Sequence, residues 1–580
     1  MKIADCALAR SVFLVTTRER MATALMPVLA VGMAACSSEG KSVTRTGTGG
    51  TIGVESSGGT APVSGGFVSS TGASGSGGAA LGSGGATGLS AGGIGATSGG
   101  AMAGGSGTGN GGELGAGGTG TGGFRTTGGA SNYATGGASN YVTGGSSTGG
   151  RTTAATGGTS PGGATGTGGG TANIAWDWSG VVGTGQSLSV GDHGTPVKLT
   201  TQPFHNLKLS TGSLSWPVNP TNSALTMVPL VEPIGRLATA YPSSWPTNIS
   251  GETPHSAMGN QITTLAKAAG ASDFISVQGN VGENGQCMTY LQKGAPQSGV
   301  NGRAYQATLI ETQAITRLAK AAGKSYGVGA VTMTHGECDA GNTGYENALY
   351  TLLTNYNADL VAITGQTQKI QLIVSQQHST GDHSASTLAQ WKVGVDHAAE
   401  AVCSGPKYQY PYASDHTHLL TDGYEQLGEK YGQVYYERVV FGKPWQPLQP
   451  TTIEKNGAVL TVHYHIPVPP MVWDTTLQSP HSNSAAWKLG KGFEVSTSSG
   501  TAVTISSVAI SGDTVVITCA TDPGSKARVG YAMVADSSAM STPFVGTVRW
   551  GQLRDSDPFV GSTTKMAQPN YGVAFDMTAP

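Results

Sequence analysis

The chain has 580 residues, 31 Lys and Arg against 33 Asp and Glu, a formal net charge of −2 and only 11% charged residues. That balance creates no basic field and sets nucleic acid aside as a partner. Most of the 92 glycines fall before residue 172, in a tract of Gly, Ser, Thr and Ala with few charges or large apolar residues. Such a tract cannot bury enough surface to offset its ordering entropy. Residues 173–580 are left to fold, more than one comfortable core, so two domains are expected.

The first element in chain order is a targeting segment. Arg18 and Arg20 precede an apolar run from Met21 to Gly32, too short to span a bilayer comfortably. It ends Met33-Ala34-Ala35-Cys36-Ser37-Ser38. Small residues directly before a Cys are similar to a bacterial lipobox, which implies a signal peptide over residues 1–36 and lipidation of Cys36; an ordinary signal peptide cut nearby is the plainer reading. Met21 is a second candidate start. Residues 37–172 are expected to be a disordered Gly/Ser/Thr-rich linker, a flexible coil spanning roughly 60 Å end to end. Thr-Gly-Gly-Ala-Ser-Asn-Tyr occurs in it twice, ending at Tyr133 and Tyr141. That unit is too small for a solenoid repeat and reads as spacer. The expected location is extracytoplasmic, on a bacterial outer membrane or cell surface, held to the membrane by the lipid alone.

From Ile174 the pattern changes. A Val-rich run leads into Gly183-Thr184-Gly185-Gln186-Ser187, and a helical pattern covers residues 256–269. Strands are predicted at 274–278, 326–334 and 370–376, and helices at 305–322, 345–363, 388–402 and 420–440, from their apolar periodicity and glycine stops. Strands alternating with helices of this length predict an α/β fold with a parallel sheet covered on both faces. Ligands in such sheets bind at the carboxyl ends of the strands. Ser187, the Asn280–Gly285 stretch, His335 to Asp339 and His378 all fall at such ends.

Four motifs follow one another in this region: Gly185-Gln186-Ser187, a glycine loop from Val281 to Gly294, His335-Gly336-Glu337-Cys338-Asp339, and Asp415-His416-Thr417-His418. In this order they resemble an SGNH hydrolase of the sialate O-acetylesterase-like branch, also the sixth family of carbohydrate esterases. The resemblance covers about 250 residues, within 173–442. It implies a flavodoxin-like three-layer hydrolase domain, an esterase activity and no cofactor.

Within that resemblance Ser187 is the nucleophile, His418 the base and Asp415 the acid that orients it. A serine hydroxyl is a poor nucleophile at neutral pH unless a base takes its proton during attack. His416 is the rival base, but its place beside Asp415 fits the family spacing poorly. Taken singly, Ser187 reads as a turn serine and Asp415 as an Asx-turn or cap. The oxyanion hole is expected from the Ser187 N–H, the Gly285 N–H (Gly282 if the loop is offset) and the His335 side chain, which stands where the family has Gln. A neutral imidazole still has one N–H to give. Glu337 and Asp339 are expected to support the loop. Glu252 to His255 either shapes the pocket or caps the following helix. His193, His378 and His383 show no metal-ligand spacing, so no metal is expected.

Six cysteines are present. Cys6 falls in the targeting region and Cys36 in the lipobox. The fold implied by the resemblance brings Cys287 and Cys338 onto neighbouring loops, a possible disulfide; Cys403 and Cys519 are expected buried and free. After Gly442 the sequence alternates on a period of two, with a hairpin signal at Ser511-Gly512-Asp513. Residues 443–580 are therefore predicted to form a small antiparallel β-sandwich, with strands at 459–466, 503–510, 515–519, 529–534, 547–550 and 571–575. Trp473, Trp487 and Trp550 are either sugar platforms or packing rings.

The expected function is a monomeric serine esterase that removes acetyl groups from a polysaccharide or sugar through an acyl-serine intermediate. The alternatives are a general short-chain carboxylesterase and an inactive surface glycan-binding protein.

Overall fold

A computed structural model describes residues 174–210, 219–234, 251–296, 302–476, 489–535 and 547–580. The expected signal peptide, Cys6, Cys36, the linker and Trp487 lie outside the described residues.

The first half is a seven-stranded sheet. Its strands are β1 (Trp178–Gly185), β2 (Leu207–Leu209), β3 (Met227–Pro229), β4 (Ile275–Asn280), β5 (Tyr326–Thr334), β6 (Gln371–Gln376) and β7 (Ala401–Pro406), in the order β3-β2-β4-β1-β5-β6-β7. All neighbours run parallel except β2 and β3. The sheet is thus mixed rather than wholly parallel, a correction that rests on two three-residue strands too short to leave a periodic signal.

The helices are α1 (Pro254–Ala268), α2 (Met288–Leu291), α3 (Ala304–Ala321), α4 (Tyr345–Thr364), α5 (Ala385–Asp396) and α6 (Thr421–Tyr435). They cover both faces. Val182, Val331 and Leu372 join Ile315, Leu352 and Trp391 of α3, α4 and α5 in one buried cluster. Val181, Ala330 and Ile373, the adjacent residues on the same strands, join Met258, Ile262 and Leu427 of α1 and α6 in another. Successive strand residues point to opposite faces, so this split is what three layers require. The long parallel strands follow the order 2-1-3-4-5 in chain numbering, and the switch point lies at β1, between β4 and β5.

Two predicted helices end early. The one predicted over 388–402 stops at Asp396, and β7 follows. The one predicted over 420–440 ends at Tyr435 and continues as a π turn, Tyr436–Val440.

Beyond Gly442 the chain forms separate antiparallel sheets. One contains β8 (Gln449–Asn456), β9 (Val459–His465), β12 (Ile505–Ser511) and β13 (Thr514–Cys519). A second contains β11 (Phe493–Ser496), β14 (Arg528–Tyr531) and β16 (Phe575–Thr578), and a third pairs β10 (Val472–Trp473) with β15 (Leu553–Arg554). The strand predicted at 547–550 is irregular, and β8 was missed. Buried bonds tie this region to the first half. Gln376 Nε2 donates to the Ala574 carbonyl (2.8 Å), the Ala574 N–H donates to Gln376 Oε1 (2.8 Å), and the Tyr408 hydroxyl donates to the Gly572 carbonyl (2.7 Å).

Candidate active site

Ser187 lies just past the end of β1, in a turn whose Ser189 N–H donates to the Gln186 carbonyl (2.8 Å). Gly185 makes that turn possible. Its φ is +140°, and a Cβ there would sit 2.1 Å from the Thr334 carbonyl oxygen of β5. Only glycine tolerates both. The switch point at β1 is therefore where the hydroxyl emerges.

Asp415 and His418 arrive from the far side of the sheet. After β7 the chain makes a small hairpin, with Tyr412 bridged to Leu419 and the Ala413 N–H donating to the His418 carbonyl (2.7 Å). At its tip Asp415 Oδ1 accepts the N–H groups of Thr417 and His418, each at 3.0 Å. The Asx-turn expected as the plain alternative is therefore present, and it holds the carboxylate in place. The other oxygen, Oδ2, accepts from His418 Nδ1 at 2.5 Å, and His418 Nε2 meets Ser187 Oγ at 2.8 Å. It is His418, not His416, that reaches the serine. Burial by itself would lower the His418 pKa, but the hydrogen bond and charge of Asp415 override it and the net shift is upward. Burial would likewise raise Asp415, but its hydrogen bonds from His418 and the backbone hold it well below the usual carboxylate range.

Of two further neighbours at this site, the sequence assigns Asp192 no role and weighs His193 only as a metal ligand. Asp192 Oδ2 lies 3.7 Å from His418 Nε2 and accepts from Asn284 Nδ2 at 3.2 Å. His193 stacks on the His418 ring, with centroids 4.6 Å apart and planes within 9°. Its Nδ1 is 3.1 Å from Asp192 and its Nε2 3.8 Å from Asp415. Both follow the Ser187 turn closely, but no spacing rule marks them.

The glycine loop and the 335–339 loop are fastened together. Cys287 and Cys338 form a disulfide with Cα atoms 5.1 Å apart. Asp339 Oδ2 accepts the Met288 N–H (2.7 Å), and the Cys338 N–H donates to Gln186 Oε1 (3.3 Å), joining the Ser187 turn as well. Glu337 receives the buried Lys407 ammonium at 3.2 Å. Gly282 packs against the Ser187 turn, where a Cβ would collide with Ser189 Oγ. Gly285 stands on the open side of the loop with nothing within 4 Å of its Cβ position.

His335 corrects the expectation of a side-chain oxyanion donor. It is fully buried, and both ring nitrogens have partners: Nε2 the Gln286 carbonyl at 2.9 Å, Nδ1 the Tyr345 hydroxyl at 2.7 Å. A carbonyl only accepts, so Nε2 carries the proton and Nδ1 accepts from Tyr345. Burial lowers the pKa and keeps the ring neutral. No N–H remains for a substrate, and the residue clamps the glycine loop instead.

Glu252 Oε2 accepts the backbone N–H of Lys198 (2.7 Å), and the Thr253 side chain caps α1. The capping alternative therefore describes this segment. His378 is buried edge-on to Tyr408, and His383 lies 3.6 Å from Asp576. Neither reaches the serine. Among the described residues Asp192, His193 and His418 place three ligand atoms within 4.8 Å of one another, as do Cys287, Cys338 and Asp339. A cation at the first set would compete with Ser187 for His418 Nε2. The second set has its sulfurs in the disulfide. Cys403 and Cys519 are buried and free. Buried Trp550 lies tilted beside Tyr408, and half-buried Trp473 lies edge-on to Phe493.

No family model and no curated protein sequence matches the chain. Among solved structures it is similar to a carbohydrate acetylesterase from Xanthomonas citri, at 12% identity over 69% of this chain and 80% of that one, with a TM-score of 0.41. It is also similar to an Arabidopsis thaliana protein (17% identity, 46% of this chain, 99% of that one, TM-score 0.33). A carbohydrate acetylesterase from Sinorhizobium meliloti is a further match (13% identity, 45% and 97%, TM-score 0.25). The chemistry of the site rests on the distances above.

Proposed function

We propose that this chain is a serine esterase that removes acetyl groups from a glycan. The observation that carries the reading is the run Ser187 Oγ, His418 Nε2, His418 Nδ1, Asp415 Oδ2, at 2.8 and 2.5 Å. In the reaction Ser187 Oγ attacks the ester carbonyl while His418 Nε2 takes its proton. Asp415 keeps the proton on Nδ1 and stabilises the imidazolium. The Ser187 N–H and the Gly285 N–H are the proposed donors to the developing oxyanion, each worth about 3 kcal/mol of barrier. His418 Nε2 then gives that proton to the departing sugar oxygen, which leaves as a hydroxyl as the C–O bond breaks. Water, deprotonated by His418, attacks the acetyl-serine, releasing acetate and restoring Ser187. The Cys287–Cys338 bond, the His335 clamp and the Asp339 bond hold the donor loop in place, because a loosely held donor gives little transition-state stabilisation.

The lipobox reading of Cys36 adds a location: a lipid-anchored enzyme on a long tether, outside the cytoplasm. Acetate release from a panel of acetylated polysaccharides by the full chain tests the function. Release from at least one glycan is expected. Rapid hydrolysis of simple short-chain esters with no release from any acetylated glycan would favour the general carboxylesterase. Replacement of Cys36 by Ala is expected to move the protein out of the membrane fraction, and an unchanged fractionation would reject the anchor.

A further inference from the structure

A cavity lies between the layers around the seven-stranded sheet and the C-terminal sheets. It measures about 740 Å³, and none of Ser187, Asp415 and His418 lines it. Two segments connect it to them. The hairpin that carries Asp415 and His418 begins at Gln409, Tyr410 and Pro411, which form one wall. The loop that brings Asp192 to His418 continues to Lys198, which forms the rim with Asp422. The opposite wall comes from Met566, Ala567 and Gln568 of the C-terminal region.

The chemistry of the walls is specific. Charge is balanced: Lys198 pairs with Asp422, and buried Lys430 bonds Gln433 Oε1 (2.7 Å), the Gln568 carbonyl (2.9 Å) and Asn570 Oδ1 (3.0 Å). Burial pushes Glu425, the other carboxylate in the wall, up to about 7. Gln568 is only 4% exposed, and its Nε2 donates to Glu429, which fixes the amide orientation. The lining mixes the amides of Gln409 and Gln426 and the Thr563 hydroxyl with the rings of Tyr410, Trp550 and Tyr571. Hydrogen-bonding groups beside flat apolar faces, with the charges balanced, match a ligand rich in hydroxyls and C–H faces better than a lipid, which needs an unbroken apolar lining.

The geometry points to this cleft as a binding site for a neutral oligosaccharide segment, the stretch of glycan flanking the ester that Ser187 attacks. The inference rests on the esterase reading for the word substrate, but binding can be measured without it. Titration calorimetry on the full chain carrying Ser187→Ala uses unacetylated hexasaccharides of xylose, mannose and glucose as probes, with hexagalacturonate as the anionic control. At least one neutral probe is expected to bind and the anionic one is not. Adding Ala567→Trp, at an exposed position in the wall, fills the cleft without touching the core and is expected to weaken binding at least tenfold, with thermal melting as the check on folding. Gln409→Ala, at a half-buried position, is expected to weaken it severalfold, so the outcome does not hang on one variant. Binding of no neutral probe, or binding unchanged in both variants, would overturn the site. Hydrolysis of 4-nitrophenyl acetate by the unsubstituted chain is measured alongside. If that fails, the esterase reading falls while the calorimetry still decides the cleft.

Discussion

At the residue scale the two histidines His418 and His335 differ by what surrounds them. His418 is part-exposed between a carboxylate and a hydroxyl, and its raised pKa sets the pH profile. As base it must be neutral, so kcat/KM is expected to rise with pH through an apparent pKa above the ordinary imidazole value of about 6.5. Asp192 contributes to that shift by favouring the imidazolium. Asp192→Asn removes the negative charge, so the acid limb is expected to move to lower pH; a profile that stays put or moves up would contradict the placement. His335 has no such freedom. His335→Ala leaves the Gln286 carbonyl and the Tyr345 hydroxyl without their partner in a dry site, and is expected to cost about 1–3 kcal/mol of stability in denaturant titration as well as turnover. Ser187, Asp415 and His418 were singled out in sequence by the order of four motifs, and their side chains meet in one hydrogen-bonded run. His335 was misread because residue type reveals that an imidazole can donate, and not that two neighbours already occupy it. Asp192 was silent and His193 entered only as a rejected metal ligand, because nothing in their spacing distinguishes them from turn residues.

At the element scale the site depends on loops held to one another. The Cys287–Cys338 bond joins the loop after β4 to the loop after β5, beside the Ser187 turn that follows β1. Reduction is expected to lower turnover on the order of 10- to 100-fold while circular dichroism at 25 °C remains that of the folded chain. Equal losses of fold and turnover would place the bond's role in stability alone. Gly185→Ala drives a methyl into the β5 backbone, so a loss of about 1–3 kcal/mol together with most of the activity is expected, and a variant as stable as the parent would contradict the packing. The long elements were readable. The predicted ranges 326–334, 345–363 and 370–376 lie within a residue of β5, α4 and β6. What failed was short or abrupt. β2 and β3 have three residues each, and β7 starts so soon after α5 that the helical pattern ran into it.

At the scale of the whole molecule the C-terminal sheets are docked through buried contacts. Gln376, Tyr408 and Lys430 complete their hydrogen bonds on residues 568–574, and Phe575 packs against Trp391 of α5. A chain ending at Gly442 is therefore expected to aggregate or to melt well below the parent; an unchanged melting temperature would show that residues 173–442 fold independently. The composition break after Gly442 revealed the change to strands, but not this docking, because Gln376 and Lys430 read as ordinary polar residues until their partners are known. The central claim is that Ser187 is the nucleophile of an esterase, and its most direct test is hydrolysis of 4-nitrophenyl acetate by the parent chain and by Ser187→Ala with its fold verified by melting. The account predicts a fall in kcat/KM on the order of 10⁴- to 10⁶-fold, and near-full turnover by the folded variant would contradict it.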